Sequence, residues 1–468
     1  MSTSDAPRRE LPPALARELE ALFGDDLLLA AADTWAYGYD NSRLQTPPAA
    51  VCLARSHEQV QALLQLCNRE RVPLVARGRG TGTTGASVPP PGAIVLSLER
   101  LRGRLEIEPD DRLAVAAAGF TNQELQEAAA AHGFFWPPDP TSAAVCTLGG
   151  NLAYNSAGPR AVKYGTPREN TLGLLAVTGA GDSLRTGVRT TKGVVGYDLT
   201  RLLIGSEGTL AVITEATLKL TPLPEAKRTL QAIYRDIRSA AEAVSALMAQ
   251  PVTPCALEFM DGQAIEMVRR HSDLGLPPEA RALLMIEVDG SEAAIDADAE
   301  TLRRVARNPG CLAVELARDP AEVARLWRTR KALSPALRNV APKKINEDVV
   351  VPVSRLPALI DGLQALSREH GIPIVNFGHA GNGNIHVNLL FDPDDPAQAA
   401  AAGPCLGAVF DLVLSLDGTL SGEHGIGRVK RDFVARELSP VALSLMQGIR
   451  RQFDPNGILA PGVALPPA

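Results

Sequence analysis

Short apolar runs set the rhythm of the first half of the chain. Val72–Ala76, Ala93–Leu98, Leu105–Ile107 and Leu113–Ala118 are each too short for a helix and are rich in β-branched or small residues, so they read as strands. Helical periodicity flanks them on either side. Ser56 and Gln59 form a capping-box pattern ahead of an apolar-periodic stretch that runs to Arg69, and Thr121 with Glu124 opens a second helix that stops at Gly133. A strand-like run from Leu210 to Leu220 ends at Thr221-Pro222-Leu223-Pro224, where two prolines mark a domain boundary.

Beyond it the pattern lengthens. A strand at Thr229–Tyr234, a helix at Ile237–Ala249, strands at Ala256–Phe259 and Leu283–Val288, a helix at Glu292–Arg307 and a strand at Leu312–Leu316 give the β-α-β-β-α-β order of ferredoxin-like folds. A helix at Pro320–Leu333, a strand at Asp348–Val351 and a helix at Val353–Glu369 follow. Strands at Ile374–Phe377 and Ile385–Phe391 and helices at Pro396–Leu414 and Pro440–Phe453 complete the chain. No repeat of fixed period between about 20 and 50 residues is visible. The expected class is α+β.

Composition narrows this picture by exclusion. At roughly 150 residues per domain, 468 residues correspond to about three domains or two large ones. The balance of 47 Lys+Arg against 53 Asp+Glu carries no nucleic-acid footprint. No apolar run in the sequence approaches the roughly 20 residues of a bilayer span, and Met1–Pro13 lacks the apolar core of a secretory signal. The six cysteines are scattered without a C-x-x-C, which excludes a zinc ribbon or a built-in Fe–S relay. Glycine (40) and proline (36) together make about 16% of the chain, above the roughly 12% usual. The glycines are clustered, and the clusters are where chemistry can be read.

The first cluster, Arg77-Gly78-Arg79-Gly80-Thr81-Gly82-Thr83-Thr84-Gly85, follows a predicted strand. Alternating glycines let backbone N–H groups converge on an anion, with Arg77 and Arg79 adding charge, and a pyrophosphate suits such a concavity. The competing reading is a surface turn. No helix follows and no acidic residue closes a strand about 20 positions on, so a Rossmann site is not expected, and without Gly-Lys-Ser/Thr neither is a P-loop. A second cluster runs from Pro137 through Pro140-Thr141 and Thr147-Leu148-Gly149-Gly150-Asn151 to Asn155-Ser156-Ala157-Gly158, small enough for a flat ligand to lie against backbone. A third is Gly205-Ser206-Glu207-Gly208-Thr209-Leu210 with Val212-Ile213-Thr214.

The most concentrated polar chemistry lies at Phe377-Gly378-His379-Ala380-Gly381-Asn382-Gly383-Asn384-Ile385-His386-Val387-Asn388. Asn382-Gly383 predicts a tight hairpin, with His379 and His386 facing each other across it and Asn388 on the same side as His386. Ser421-Gly422-Glu423-His424-Gly425-Ile426-Gly427 adds a carboxylate and a third imidazole. Two neutral imidazoles and one carboxylate suit a borderline metal such as Zn²⁺, with positions open for substrate. Histidines held only for structure are the alternative.

The three glycine blocks resemble, over residues 45–224, the flavin-binding domain of the vanillyl-alcohol-oxidase-like (PCMH-type) family. That resemblance implies a PCMH-type FAD domain in which Gly78, Arg79, Gly80, Thr81, Gly82, Ala86 and Ser87 wrap the pyrophosphate. Pro140, Thr141, Gly149, Asn151 and Ser156 would line the isoalloxazine and ribityl region, and Ile213 would meet the adenine side. Some members tether FAD through a histidine of the first loop; none is present here, so non-covalent FAD is expected, with Cys146 a buried small hydrophobe rather than a tether. The histidine segments and Phe453-Asp454-Pro455-Asn456-Gly457-Ile458-Leu459 extend the resemblance to residues 45–462 and narrow it to the FAD-linked D-2-hydroxy-acid dehydrogenases, a group that includes D-lactate and D-2-hydroxyglutarate dehydrogenases and the glycolate oxidase flavin subunit. Relatives end in Asn-Pro-Gly where this chain has Ala460-Pro461-Gly462, and many carry Asp at Asn382.

The narrower resemblance implies metal ligands His379, His386 and Glu423 and a general base His424. The metal would be Zn²⁺, with Mn²⁺ or Fe²⁺ as alternatives. Arg330 would clamp the substrate carboxylate through its two-donor fork, with Arg328 as competitor, and Ser334 and Asn388 would touch substrate. Lys344 is the candidate for a distal carboxylate, although by spacing from Asp348 the family's lysine falls on Asn346. The expected organisation is an FAD domain at 1–224, a ferredoxin-like substrate (cap) domain at 225–420 and a segment at 421–468 returning to the first. The implied reaction is oxidation of a D-2-hydroxy acid, with D-lactate ahead of D-2-hydroxyglutarate. An electron-transfer subunit of a glycolate-oxidase-like complex is the alternative of another class. A quinone, an electron-transfer flavoprotein or a partner subunit would take the electrons. The implied location is cytoplasmic, with peripheral attachment at the inner membrane as a variant, and a homodimer is an option.

Overall fold

The computed structural model describes residues 11–269, 275–327 and 341–467. The chain divides into two compact units: Met1–Gly158, Gly165–Leu223 and Glu423–Ala468 form one, and Pro159–Tyr164 with Pro224–Gly422 form the other.

The first unit carries two main sheets. One has the order Leu27–Leu28, Ala50–Leu53, Ile94–Ser97, Leu74–Arg77, and the last three strands run parallel. Parallel neighbours need crossovers, and the helix His57–Glu70 supplies one, its start fixed by Ser56 Oγ accepting from Gln59 N. Burial of Val60, Leu63, Leu64 and Cys67 fastens that helix to Cys52, Leu74 and Ile94. The other sheet is antiparallel, in the order Leu105–Glu108, Leu113–Ala117, Ala211–Lys219, Thr171–Thr178, Ser183–Gly187. The helix Asn122–Ala130 begins with the full Thr121/Glu124 capping box that its sequence predicts. The near-terminal Ile458–Leu459 is buried in the first core, and Leu459 bridges to Leu74.

The second unit is built on one seven-stranded antiparallel sheet in the order Cys311–Leu316, Ala226–Tyr234, Ala282–Gly290, Ala256–Asp261, Ile374–His379, Asn384–Phe391, Lys343–Val350. The first four strands, with the helices Ile237–Met248 and Ile295–Val305, are the ferredoxin-like set expected from sequence, plus an unforeseen helix at Gly262–Arg269. The remaining strands repeat that plan. Lys343–Val350, the helix Leu356–His370, Ile374–His379, Asn384–Phe391 and the helix Pro396–Ser415 follow in the same order, and Thr419 makes a single bridge to Val350 where the fourth strand would pair. This internal duplication spans far more than 50 residues per copy and has no sequence signature. Segment 159–164 joins this unit because Lys163 Nζ donates to Asp289 O (2.7 Å) and the Tyr164 hydroxyl donates to its carboxylate (2.9 Å).

Among the described residues one helix, Pro396–Ser415 (20 residues), has the length and composition of a bilayer span, and length and composition alone speak for one. Cys405, Val409, Phe410 and Val413 bury one side of it.

Candidate functional site

In the sheet of the second unit, side chains alternate between faces, so register decides what meets what. Lys344 lies opposite Leu390, Asn346 opposite Asn388, Asp348 opposite His386, Phe377 opposite His386, and Glu258 opposite His379. All therefore share one face. Along the strands this face passes from apolar (Leu390, Val375, Met260, Leu283) to polar (His386, His379, Glu258, Glu287). The apolar end is covered by Ala264, Ile265 and Val268 and by Val323, Leu326 and Trp327.

At the polar end the two imidazoles converge, with ring centroids 5.2 Å apart and planes at 84°. They are diagonal rather than directly opposite, because the connection at 380–383 is four residues closed by the pair His379–Asn384, not a two-residue turn. Gly383 (φ +74°) closes it, and a Cβ there would stand 1.9 Å from Val351 O. His379 Nδ1 donates to the carboxylate of buried Glu258, so a neutral ring keeps its lone pair on Nε2. Metal-binding histidines usually have such a carboxylate behind them. Asn388 is fully buried, its Nδ2 donating to Val375 O and His386 O (3.2 Å each). Lys344 is half-buried on the site face, whereas Lys343 is exposed on the other, over the ring of Phe391.

Acidic side chains enlarge this polar end. Glu287 accepts from Thr229 Oγ1 (3.0 Å), Trp327 Nε1 (3.0 Å) and Lys227 Nζ (3.1 Å). Away from this polar end, next to Met260, Asp261 is wholly buried, and burial pushes its carboxyl up to about 6 even though Ala264 N and Asn376 N donate to it. Asp348 accepts from Ser421 Oγ (3.0 Å) and Gly422 N (2.8 Å), so the chain is pinned beside the His386 strand one residue before Glu423.

In the first unit the glycine loop follows the strand Leu74–Arg77. Gly78 packs so closely that a Cβ would stand 2.2 Å from Thr147 Oγ1, and one on Gly82 would stand 2.5 Å from Tyr154 Oη. The loop is braced from outside: Asn41 N donates to Gly82 O (2.9 Å) and Asn41 Nδ2 to Thr81 O (3.1 Å). The arginines are engaged in this bracing. Arg77 is buried and donates to Tyr39 O and Ala36 O, while Arg79 pairs with Glu99 at 2.7 Å. Both guanidinium groups are thus already engaged with protein partners. Ala86 and Ser87 are buried, and Ser87 donates to Asp40.

The second glycine cluster contains a helix the sequence reading did not predict. Thr147 Oγ1 accepts from Gly150 N and starts Leu148–Tyr154, which Asn155 ends in the left-handed conformation. Glycine at 149 is required because a Cβ there would meet Ala118 Cβ at 2.8 Å. Pro140 is buried, Thr141 exposed, and Ile213 lies in the strand Ala211–Lys219 beside a bulge. Asn151 bridges Asn122 Nδ2 (2.9 Å) to Ser156 O, an alignment that orders 155–158. Asn122 is fully buried and carried no motif.

The loop 423–427 is held by this same unit. Glu423 Oε2 accepts from Ala157 N (3.2 Å) and Gly158 N (2.8 Å), and the Ser156 hydroxyl donates to Glu423 O (3.3 Å). Both carboxylate oxygens of Glu207, a residue at φ +53°, accept at 2.7 Å from Ile426 N and Gly427 N, and Thr84 donates to His424 O. Burial, then the Glu207 charge, pushes the Tyr154 phenol well above its ordinary range, so it stays neutral. His424 thus sits on a short loop clamped at both ends. Arg328, Arg330 and Ser334 lie outside the described residues; the helix leading to them is seen over 320–327.

A family model for FAD linked oxidases, C-terminal domain, matches residues 223–464, and one for an FAD binding domain matches residues 48–187. Glycolate oxidase subunit GlcD of Bacillus subtilis is 35% identical over 91% of each chain. D-2-hydroxyglutarate dehydrogenase of Stutzerimonas stutzeri is 34% identical over 96% of this chain and 98% of its own, and D-lactate dehydrogenase of Archaeoglobus fulgidus 35% over 91% and 95%. Among solved structures, substrate-bound p-cresol methylhydroxylase aligns with a TM-score of 0.80 at 18% identity, over 96% of both chains. An alkyldihydroxyacetonephosphate synthase gives 0.75 at 20%, over 98% of this chain and 87% of its own. At such identities these two speak for the PCMH-type fold alone.

Proposed function

Because the chain belongs to the FAD-linked oxidase family, whose members oxidise 2-hydroxy acids, we propose that it is a metal-assisted D-2-hydroxy-acid dehydrogenase with D-lactate as its first substrate. The observation that carries this reading is the buried imidazole pair, with His379 tautomer-locked by Glu258, on a sheet face that also presents Asn388 and Lys344.

Gly78, Gly80, Thr81 and Gly82 hold the FAD pyrophosphate, with Arg79 at their edge and Ala86 and Ser87 beyond. Pro140, Thr141, Gly149, Asn151, Ser156 and Ile213 hold the rest of the cofactor. By the family resemblance, His379, His386 and Glu423 are the residues assigned to a divalent metal, Zn²⁺ in the first instance, two imidazoles and a carboxylate being the donor types it takes. Bound there, these groups supply a hydride acceptor and Lewis-acid polarisation of the substrate hydroxyl. Arg330 binds the substrate carboxylate and so orients Cα, with Ser334 and Asn388 completing the substrate contacts. His424 takes the hydroxyl proton; imidazole suits this because its ordinary pKa lies near 6.5. Electrons then leave to an acceptor or a partner subunit.

A second substrate reading, D-2-hydroxyglutarate, is favoured by Lys344, whose side chain emerges on the same face as Asn388 and His386. Anaerobic titration of the flavoprotein with glycolate, D- and L-lactate and D- and L-2-hydroxyglutarate decides between them. Rapid bleaching of the flavin by D-lactate is expected. Faster bleaching by D-2-hydroxyglutarate, lost in Lys344→Met, would select the second reading, and no bleaching by any of the five would point to an electron-transfer subunit.

A further inference from the structure

We propose that Glu258, a residue no motif singles out, is the positioning residue of the metal centre and sets its affinity through His379. The inference rests on the metal reading above.

Glu258 lies on the strand Ala256–Asp261, the immediate neighbour of the His379 strand, and the two residues are cross-strand partners. A one-residue slip would turn Glu258 to the helix-covered face, so its position is fixed by the whole sheet register. It is 2% exposed, with Met285 opposite it on the other side and Met260 next along its own face. A carboxylate in such surroundings is costly unless it is paired, and the pairing found is with Nδ1 of His379.

Two roles fit a buried Glu–His pair, and they differ in the proton count of the ring. In a purely structural ion pair the imidazole is cationic, both nitrogens are donors, and no lone pair remains for a metal. In a positioning role the ring is neutral, Nδ1 carries the proton, and Nε2 is the donor atom. The convergence of the His386 ring on His379, centroids 5.2 Å apart, supports the positioning role, since two imidazoles brought together on a buried face can share one ion. The Glu258 carboxylate then fixes ring rotation and raises the basicity of Nε2, contributions typically worth about 10- to 100-fold in metal affinity.

The test is a competition titration of Zn²⁺ between a chromophoric chelator and metal-free, FAD-loaded enzyme. Glu258→Gln keeps the size and one acceptor oxygen but removes the charge, and a roughly 10- to 100-fold weaker affinity is expected. Glu258→Asp, with the charge withdrawn by one methylene, is expected to fall between. Near-ultraviolet circular dichroism identifies any variant that fails to fold. Proton NMR of histidine-labelled apo-enzyme gives a second readout: a hydrogen-bonded Nδ1 proton, absent in His379→Asn, is expected in the wild type and is expected to shift in Glu258→Gln. Wild-type affinity retained within twofold in folded Glu258→Gln would overturn the proposal and leave the metal reading intact. Failure of the wild type to bind Zn²⁺ would overturn both.

Discussion

The two units build their chemistry in opposite ways. In the first, the candidate site is loops and backbone: Gly78, Gly82 and Gly149 are glycines because chain packs on chain within 2.2–2.8 Å of where a Cβ would be. In the second, the candidate site is side chains raised from one face of a sheet, where register alone brings Glu258 to His379 and Asp348 to His386. A loop site is fixed by what is left out of it, and a sheet site by what stands opposite.

If that contrast is right, substitutions in the two units should fail differently. The largest effect is expected at the clamped loop of the first unit. His424→Ala should lower the rate of flavin reduction by about 10²- to 10⁴-fold, the usual worth of a general base, with FAD content unchanged. Single-turnover stopped flow at 450 nm measures it, and a normal rate would remove His424 from the proton transfer.

Next comes the backbone cradle. Gly78→Ala forces a methyl group onto Thr147 Oγ1, the cap of the helix Leu148–Tyr154. Such overpacking costs about 1–3 kcal/mol, or roughly 10- to 100-fold in FAD retention. The ratio of flavin to protein absorbance after dialysis reads it. Retained Zn²⁺ binding would confirm that the defect is confined to the flavin unit.

The last test addresses the sheet itself. Asp261 has a folded pKa near 6, above its unfolded value near 3.9, so the folded state holds the extra proton. Its contribution to stability is therefore largest below about pH 4, declines as pH rises to 6, and is flat above. About two pH units correspond to roughly 3 kcal/mol at most. Urea unfolding followed between pH 4 and 7 should show this slope, and Asp261→Asn should remove it. An unchanged slope in that variant would assign the pH dependence elsewhere.

Legibility followed the same division. The glycine runs and the His379–His386 segment stand out because local sequence carries the constraint: an Asn-Gly turn, alternating glycines, an acid beside an imidazole. The capping box at Thr121 was equally local. Glu258, Glu287 and Asn122 escaped, since each is one polar residue in an otherwise ordinary strand or helix. The helix Leu148–Tyr154 escaped because its Gly149-Gly150 argues against a helix, and tertiary packing on Ala118 overrides that preference.

The sequence by itself determined the family, the α+β class, the glycine-rich loops and the residue types of the histidine and glutamate cluster, because motifs at short range encode backbone conformation and ligand chemistry. Only the tertiary structure decided that Glu258 pairs with Nδ1 of His379, that Arg77 and Arg79 brace the cradle, that Lys344 rather than Lys343 shares the face of His386, and that the second unit repeats one strand–helix plan. Those facts depend on strand register and on contacts between residues far apart in the chain, and a linear pattern records neither.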